Sequence, residues 1–148
     1  MEIIGYKTQA MFDIWSVEHF ANGLGIAAIA VLVTGKILDK HQTDPYIKKT
    51  FSFLLVFTLS LLWECVEHYI ESGIFSGAAG SRVTYWFQGV EHWSNRLIGD
   101  TLMVLLGWYV YTRNNKLAIP AKIFSLIWLI VHIFFFPDSM YLQRLLIV

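Results

Sequence analysis

The stretch "TFSFLLVFTLSLLWECVEHYIESG", residues 50–73, joins a long apolar run to a cluster of acids, and it decides the fold class. The hydrocarbon core of a bilayer takes a helix of about 20 mostly apolar residues, and residues 50–70 match that length. Carboxylates near the end of such a run are costly in lipid, so they normally face the interior of a helical bundle and find partners there. The stretch therefore predicts a transmembrane helix whose acidic end contributes to a buried polar site.

The composition favours the same class of protein. The chain is 56% hydrophobic and 16% aromatic, which is too apolar for an ordinary soluble domain. Its 11 basic and 11 acidic residues balance, so we expect no nucleic-acid partner. A length of 148 residues indicates a single domain, and the lone cysteine, Cys65, excludes an internal disulfide.

Three further segments have the length and apolarity of membrane helices or nearly so. The four predicted spans are residues 14–38, 50–70, 95–112 and 121–136. Residues 71–94, between the second and third spans, are rich in Gly, Ser and aromatic residues and predict a partly interfacial loop. We therefore predict an all-α polytopic membrane protein with four transmembrane helices.

The basic residues predict the orientation of these spans. Most of them lie in or beside the first and third connections, namely Lys36, Lys40, Lys48, Lys49, Arg113, Lys116 and Lys122. Because Lys and Arg are enriched in cytoplasmic loops, we expect these two connections in the cytoplasm. Both termini and the loop of residues 71–94 then face outward.

Under this topology the polar residues gather at the outer ends of the helices. Residues three and four apart share a helix face, which predicts one stripe on the second helix: Glu64, Glu67, His68 and Glu71. The other helices add Glu18, His19, Asn22, Glu91, His92, Asn95, Arg96, Asp100 and His132. Glycines at 23, 25, 99 and 107 would let the helices approach closely. We predict one polar pocket that opens towards the outer surface.

One interpretation of this pocket is a metal site. Histidine and carboxylate ligands together suit Zn, Fe, Mn or Cu, and the predicted ligands are His19, Glu64, His68, His92 and His132. Glu67 and Asp100 would remain for acid–base work. The corresponding function is a metal-dependent membrane hydrolase that acts on a lipid or a lipid-linked substrate at the outer leaflet, with the metal lowering the pKa of its bound water to near 7.

Other interpretations stay open from the residues alone. Without a metal, Glu67 and Asp100 could donate and accept a proton while Arg96 holds an anionic head group bidentately. A metal-ion or proton transporter is a further alternative, although the inner halves of the spans are almost wholly apolar and only a homo-oligomer would build a path. The pocket could also be a structural cluster, or the docking site of a non-enzymatic assembly factor.

Three motifs resemble the VanZ-like family of small bacterial membrane proteins. They are "EHFANGLG" at 18–25, "LLWECVE" at 61–67 and "SRVTYWFQGVEHWSNRLIGDTLMVLLG" at 81–107. In the third motif Arg82, Glu91, Asn95, Gly99 and Gly107 occupy the positions that the family pattern repeats. The resemblance implies a polytopic helical protein of the bacterial envelope, in the inner membrane, with some relatives linked to glycopeptide resistance. It also implies that Arg82 belongs to the pocket with the acids and Asn95.

Overall fold

A computed structural model of the chain describes residues 2–74 and 77–146, apart from the side chains of 78, 79 and 146. The helices are α1 Ser16–Leu38, α2 Pro45–Glu71, α3 Gly77–Phe87, α4 Thr101–Arg113, α5 Ala118–Phe135 and α6 Tyr141–Leu146. A π-helical stretch, Asn95–Asp100, leads directly into α4, and short 3-10 turns at Asp39–His41 and Asn115–Leu117 follow α1 and precede α5. The predicted all-α class is confirmed.

The described residues also contain one small sheet, which the sequence did not predict. Strands β1, Glu2–Ile4, and β2, Ala10–Phe12, pair in parallel with Glu2 opposite Ala10 and Ile4 opposite Phe12. The connecting loop carries Lys7, whose side chain is only 2% exposed. The N-terminal segment is therefore folded onto the helices.

The long helices alternate in direction, as contacts at both ends show. At one end, Arg96 in the π-helical stretch reaches Glu71 at the end of α2. At the same end, Trp15 before α1 contacts His132 near the end of α5, with 4.8 Å between ring centroids. At the other end, Trp108 of α4 donates a hydrogen bond of 3.2 Å from Nε1 to Ser52 Oγ near the start of α2. One end of the bundle thus collects the polar side chains.

Helices α1 and α4 pack most closely, and a glycine makes this possible. A Cβ on Gly107 of α4 would meet the backbone of Phe20 and Leu24 in α1. Beyond this contact the core is apolar and small, formed by Ala27, Ala30, Val56, Val104 and Trp108. Close backbone approach of this kind is typical of membrane helices, and the predicted role of Gly107 is confirmed.

Burial follows the reverse of the pattern in soluble proteins. Charged residues such as Glu64 and Asp100 are 1% and 0% exposed, while Leu126 on α5 and Phe134 are 60% and 77% exposed. Within the described residues, three helical segments are long and apolar enough to cross a membrane: Ser16–His41, Pro45–Glu71 and Asn115–Phe135. Insertion into a membrane accounts for this apolar exterior.

The structure adjusts two predicted boundaries. Helix α2 begins at Pro45 rather than at residue 50, because the Asp44 side chain accepts a hydrogen bond of 2.6 Å from the backbone N–H of Tyr46 and caps the helix. The predicted loop of residues 71–94 contains α3. The helix formed by 95–113 is not among the three apolar segments, because Asn95, Arg96 and Asp100 lie in its first turns.

Candidate functional site

The candidate site lies where α1 begins, α2 ends and the π-helical stretch starts. The Asp13 carboxylate accepts hydrogen bonds of 2.8 and 3.1 Å from the backbone N–H groups of Trp15 and Ser16, which fixes the first turn of α1. The wider π-helical turn buries Asn95, Arg96, Gly99 and Asp100 together. Such turns are rare and frequently occur at functional sites.

The first group of ligand atoms consists of His19, Glu64 and Asp100. The Nδ1 atom of His19 lies 3.7 Å from Glu64 Oε1, and its Nε2 atom lies 3.8 Å from Asp100 Oδ2. All three side chains are buried, and one ligand atom from each lies within 4.8 Å of the other two. These separations are too long for hydrogen bonds, so the three side chains surround a common point without satisfying one another.

The carboxylates of this group have free acceptor atoms. Neither Oε atom of Glu64 has a hydrogen-bond partner, and Oδ2 of Asp100 also lacks one. The other oxygen of Asp100 accepts a hydrogen bond of 3.0 Å from Ser16 Oγ. Buried polar atoms are nearly always paired, so unpaired acceptors this close together indicate a site for a cation or a proton.

A second group, Glu67, Glu71 and Glu91, already contains its counter-charges. Lys7 forms an ion pair with Glu71 Oε1. The Nη2 atom of Arg96 lies 2.5 Å from Glu71 Oε2 and 3.4 Å from Glu91 Oε2. Glu71 Oε2 also accepts a hydrogen bond of 3.0 Å from the backbone N–H of Glu91. This group is a network of ion pairs, whereas in the described part of the chain the first group has no salt bridge with lysine or arginine.

Acidic groups outnumber basic ones at this end of the described structure. The carboxyl groups that are buried or have a buried free oxygen are Asp13, Glu18, Glu64, Glu67, Glu71, Glu91, Asp100 and Asp138, the last of which pairs with Arg144. Lys7 and Arg96 are the buried cations among them. Burial, together with the charges of Glu67 and Glu71, raises the pKa of Glu91 to about 9, and burial raises that of Asp13 to about 6. Protons or bound cations must supply the missing positive charge.

A cavity of about 1150 Å³ adjoins both groups. Its polar end is lined by Lys7, Glu18, His19, Glu67 and Glu91. The rest of its wall is mostly apolar and aromatic and comes from α1, α2, α3 and α5; it includes Trp63, Trp86, Leu129, Ile133 and Phe136. Binding cavities for drug-sized molecules have volumes of about 300–1,000 Å³, so this one has room for a larger apolar molecule with a polar end.

The predicted histidine ligands separate in the structure. His19 belongs to the first group and also lines the cavity. His68 lies on the exposed side of α2, because the buried face of the helix follows Ser60, Glu64 and Glu71 instead. His92 is half-buried, and its Nδ1 atom lies 2.7 Å from Ser94 Oγ. Neither His68 nor His92 is part of the two groups.

His132 is buried in an aromatic environment rather than among the acids. Its ring centroid lies 4.8 Å from that of Trp15 and 4.7 Å from that of Trp128. Its Nδ1 atom lies 2.9 Å from the carbonyl oxygen of Trp128. The structure thus brings together His19 and Glu64 of the five predicted metal ligands, and adds Asp100 to them.

The remaining predicted residues divide between the cavity and the network. Glu67, Glu18, Asn22, Arg82 and Glu91 line the cavity, with Asn22 donating a hydrogen bond of 2.9 Å to Glu18 Oε1. Arg82 is exposed at the cavity wall.

The predicted pocket residues outside the cavity lining are held by protein partners. Arg96 is occupied by Glu71, by Glu91 and by the Glu64 carbonyl oxygen, to which its Nη1 donates at 2.8 Å. Asn95 donates to the Met11 carbonyl oxygen at 3.3 Å.

Sequence reasoning missed the contributions of Lys7, Asp13 and Ser16. Lys7 enters the site because the N-terminal segment folds back over the bundle, and a single lysine in a short segment carries no periodic signal. Asp13 and Ser16 have the spacing of a helix cap, which is a signal that the sequence does contain.

Comparisons with known proteins found no matching family profile, no matching curated protein and no matching solved structure.

Proposed function

We propose that the chain is an integral membrane enzyme that hydrolyses a lipid or a lipid-linked substrate with a metal ion held by His19, Glu64 and Asp100. One observation carries the proposal: three buried ligand groups, two of them carboxylates with unpaired oxygens, lie together beside a large apolar cavity that His19 lines. The ligands point to metal chemistry, and the cavity points to an apolar substrate.

The donor set fits a divalent transition metal. One imidazole nitrogen and two carboxylates suit Zn, Mn or Fe, and the imidazole also suits Cu. Such an ion supplies a water of lowered pKa and polarises a substrate oxygen. Within the cavity wall, Glu67 and Glu91 lie where they could accept or donate a proton beside the substrate.

The first group is a better metal site than the second. Lys7 and Arg96 contact the carboxylates of the second group and repel a further cation there. Among the described residues, no lysine or arginine forms a salt bridge with the side chains of the first group, although Arg96 donates to the Glu64 carbonyl oxygen. Ser16 orients Asp100 through its hydrogen bond. A hydrogen bond to the outer oxygen of a ligating carboxylate is the usual way in which a metal ligand is held in position.

Metal content tests this proposal. Protein purified in mild detergent without a chelator or a His-tag should contain nearly one metal ion per chain by mass spectrometry. His19→Ala and Asp100→Asn should each lose it, whereas His68→Ala, on the exposed side of α2, should keep it. Loss in all three variants, or no metal in the unmodified protein, would contradict the metal site.

Turnover separates catalysis from ion binding alone, which is the second candidate function. The surplus of buried carboxyl groups favours ion or proton binding whether or not a reaction follows. Incubation with vesicles of mixed bacterial lipids should release a product, detected by lipid mass spectrometry, and Asp100→Asn should abolish the release. Bound metal without any product would favour the second candidate, and a fixed copurifying protein without metal would favour an assembly factor.

We also propose that four helices span the membrane, with both termini and the polar site on the outer side. The alternating helix directions support a fourth span made of 95–113, whose polar first turns are covered by α1 and α2. The excess of Lys and Arg near Asp39–His41 and Asn115–Leu117 supports the orientation. In a Cys65→Ser background, a cysteine at Asn114 should react with a membrane-impermeant maleimide only after the membrane is opened.

Membership of the VanZ-like family, and with it a place in the bacterial inner membrane, is a proposal that the three sequence motifs support. Two motif positions have structural roles that explain the choice of residue. Gly107 contacts the α1 backbone, and a Cβ on Gly99 would overlap the carbonyl oxygen of Met11. A matching pattern of close contacts in an experimentally solved family member would strengthen the assignment.

A further inference from the structure

The polar end of the cavity offers hydrogen-bond acceptors rather than donors. Within the described residues, Oε2 of Glu67 accepts no hydrogen bond, and Oε2 of Glu91 has only a contact of 3.4 Å with Arg96 Nη2; both residues line the cavity. Glu91 is only 6% exposed, so its side chain has little contact with bulk water. In the adjoining first group, the atoms without a hydrogen-bond partner are also carboxylate oxygens, those of Glu64 and Asp100.

The two buried cations of the site are held by acids, whereas Arg82, which also lines the cavity, is exposed at its wall. Lys7 is held by Glu71, and its Nζ also lies 5.0 Å from the centroid of the Phe87 ring. Arg96 contacts Glu71 and Glu91 and does not belong to the residues that line the cavity. The sequence-based alternative in which Arg96 grips an anionic head group therefore has no support in the geometry.

We propose that the cavity selects amphiphiles whose head group donates hydrogen bonds, such as a long-chain amine or a lipid with free hydroxyl groups, over amphiphiles with a phosphate head. This rests on the proposed function, since it names the substrate class of the same site. A hydroxyl or ammonium head donates a hydrogen bond to the unpaired Glu67 oxygen, whereas an ionised phosphate oxygen has no hydrogen to donate. The aromatic rings of Trp63 and Trp86 in the wall also favour a cationic head.

The apolar wall fixes where the chain of the amphiphile lies. Leu129 and Ile133 of α5 line the cavity together with residues of α2 and α3, while Leu126 on the same helix is 60% exposed and outside the lining. A tryptophan at 129 would occupy the space for the chain. A tryptophan at 126 would add the same bulk on the outer surface and leaves the cavity unchanged.

A competition experiment tests the proposal without any need for turnover or metal. The full chain, treated with chelator and transferred from detergent to phosphatidylcholine nanodiscs, is incubated with equal amounts of hexadecylamine, hexadecyl glycerol ether and hexadecyl phosphate. Native mass spectrometry then gives the ratio of the bound species. We expect the amine, the glycerol ether or both to exceed the phosphate by about tenfold or more, since an unpaired buried acceptor weakens binding by about that factor.

The variants identify the site of binding. Glu67→Gln replaces a free acceptor by a group that can donate, so it should reduce the discrimination against the phosphate several-fold, whereas Glu2→Gln, an exposed acid outside the cavity, should not. Leu129→Trp should abolish binding of all three probes, and Leu126→Trp should leave it intact.

Each other result overturns the inference. Equal binding of the three probes would mean that the cavity recognises only the alkyl chain of the probe. Preference for hexadecyl phosphate would mean that the cavity selects anions. Discrimination unaffected by Glu67→Gln would place the selectivity elsewhere. Because the experiment uses chelated protein, a negative result leaves the metal-content test of the proposed function independent.

Discussion

Replacing Lys7 by methionine should destabilise the protein far more than the same change at an exposed lysine. Lys7 is 2% exposed, and Glu71, its ion-pair partner, has a fully buried side chain. Two opposite charges at about 4 Å attract by about 4 kcal/mol at an effective dielectric constant of about 20, against about 1 kcal/mol in water. Removing one partner of a buried pair typically costs about 3–5 kcal/mol.

The lower end of that range applies here, because Glu71 keeps Arg96 as a second partner at 2.5 Å. We therefore expect Lys7→Met to lower the free energy of unfolding by about 3 kcal/mol. Lys48→Met is the matched control, since Lys48 pairs with Asp39, whose side chain is 66% exposed. Exposed pairs contribute about 0–1 kcal/mol, so the control should change little.

The free energies can be measured by far-ultraviolet circular dichroism during titration of mixed micelles with sodium dodecyl sulfate. The double variant Lys7→Met with Glu71→Gln should cost less than the sum of the two single changes, because residues in contact are not additive. If Lys7→Met costs no more than Lys48→Met, the N-terminal segment is not anchored by a buried ion pair and the account of the second group is wrong.

Two further predictions concern protonation and helix packing. The pKa of Glu91, raised to about 9 from an ordinary 4.5, means that the folded state holds a proton that the unfolded state has lost between these pH values. The contribution of this group to the free energy of unfolding is complete below about pH 4.5 and is lost as the pH rises through about 9. The free energy of unfolding should fall by up to about 1.4 kcal/mol per pH unit in this range. In a series of unfolding titrations at different pH values, Glu91→Gln should make this decline less steep. Gly107→Ala should cost about 1–3 kcal/mol, since its Cβ would meet the α1 backbone, whereas Gly35→Ala, with only the Asp39 side chain nearby at 3.6 Å, should stabilise by about 0.5–1 kcal/mol. A cost at Gly35 equal to that at Gly107 would refute the close contact between α1 and α4.

The sequence predicted the helices well where one physical signal dominates. Continuous apolar runs located α1 and α5 to within about three residues, because the length of a membrane helix is set by the bilayer. The start of α2 was placed too late, although Asp44 and Pro45 form a recognisable start signal. The start of α2 was assigned from hydropathy, and the polar residues in the first turns of this helix lowered the mean hydropathy there.

The site was predicted in part, and the reason lies in how helix faces are set. Spacing alone allowed Glu64 and His68 to face the same way, but the tertiary packing of α2 buries the first and exposes the second. Arg96 and Asp100, four residues apart, were expected on one helix face and are both buried, although the π-helical form of this stretch was not predicted. The position of Lys7 could not be predicted, because it depends on the fold of an N-terminal segment that has no periodic pattern.

The placement of charge suggests why this end of the molecule differs from the rest. The other half of the bundle is held by small apolar residues and needs no ion, as the packing of Ala27, Ala30 and Val56 shows. Proteins are stable by only about 5–15 kcal/mol, and each uncompensated buried charge costs several kcal/mol, so the carboxyl groups at the polar end cannot all be ionised without additional cations. A fold that keeps more acids than bases in this position therefore binds protons, a metal ion or a donor-rich ligand there as part of its stable state. The same requirement fits the position of the unpaired oxygens of Glu64 and Asp100 beside His19 and of Glu67 at the cavity.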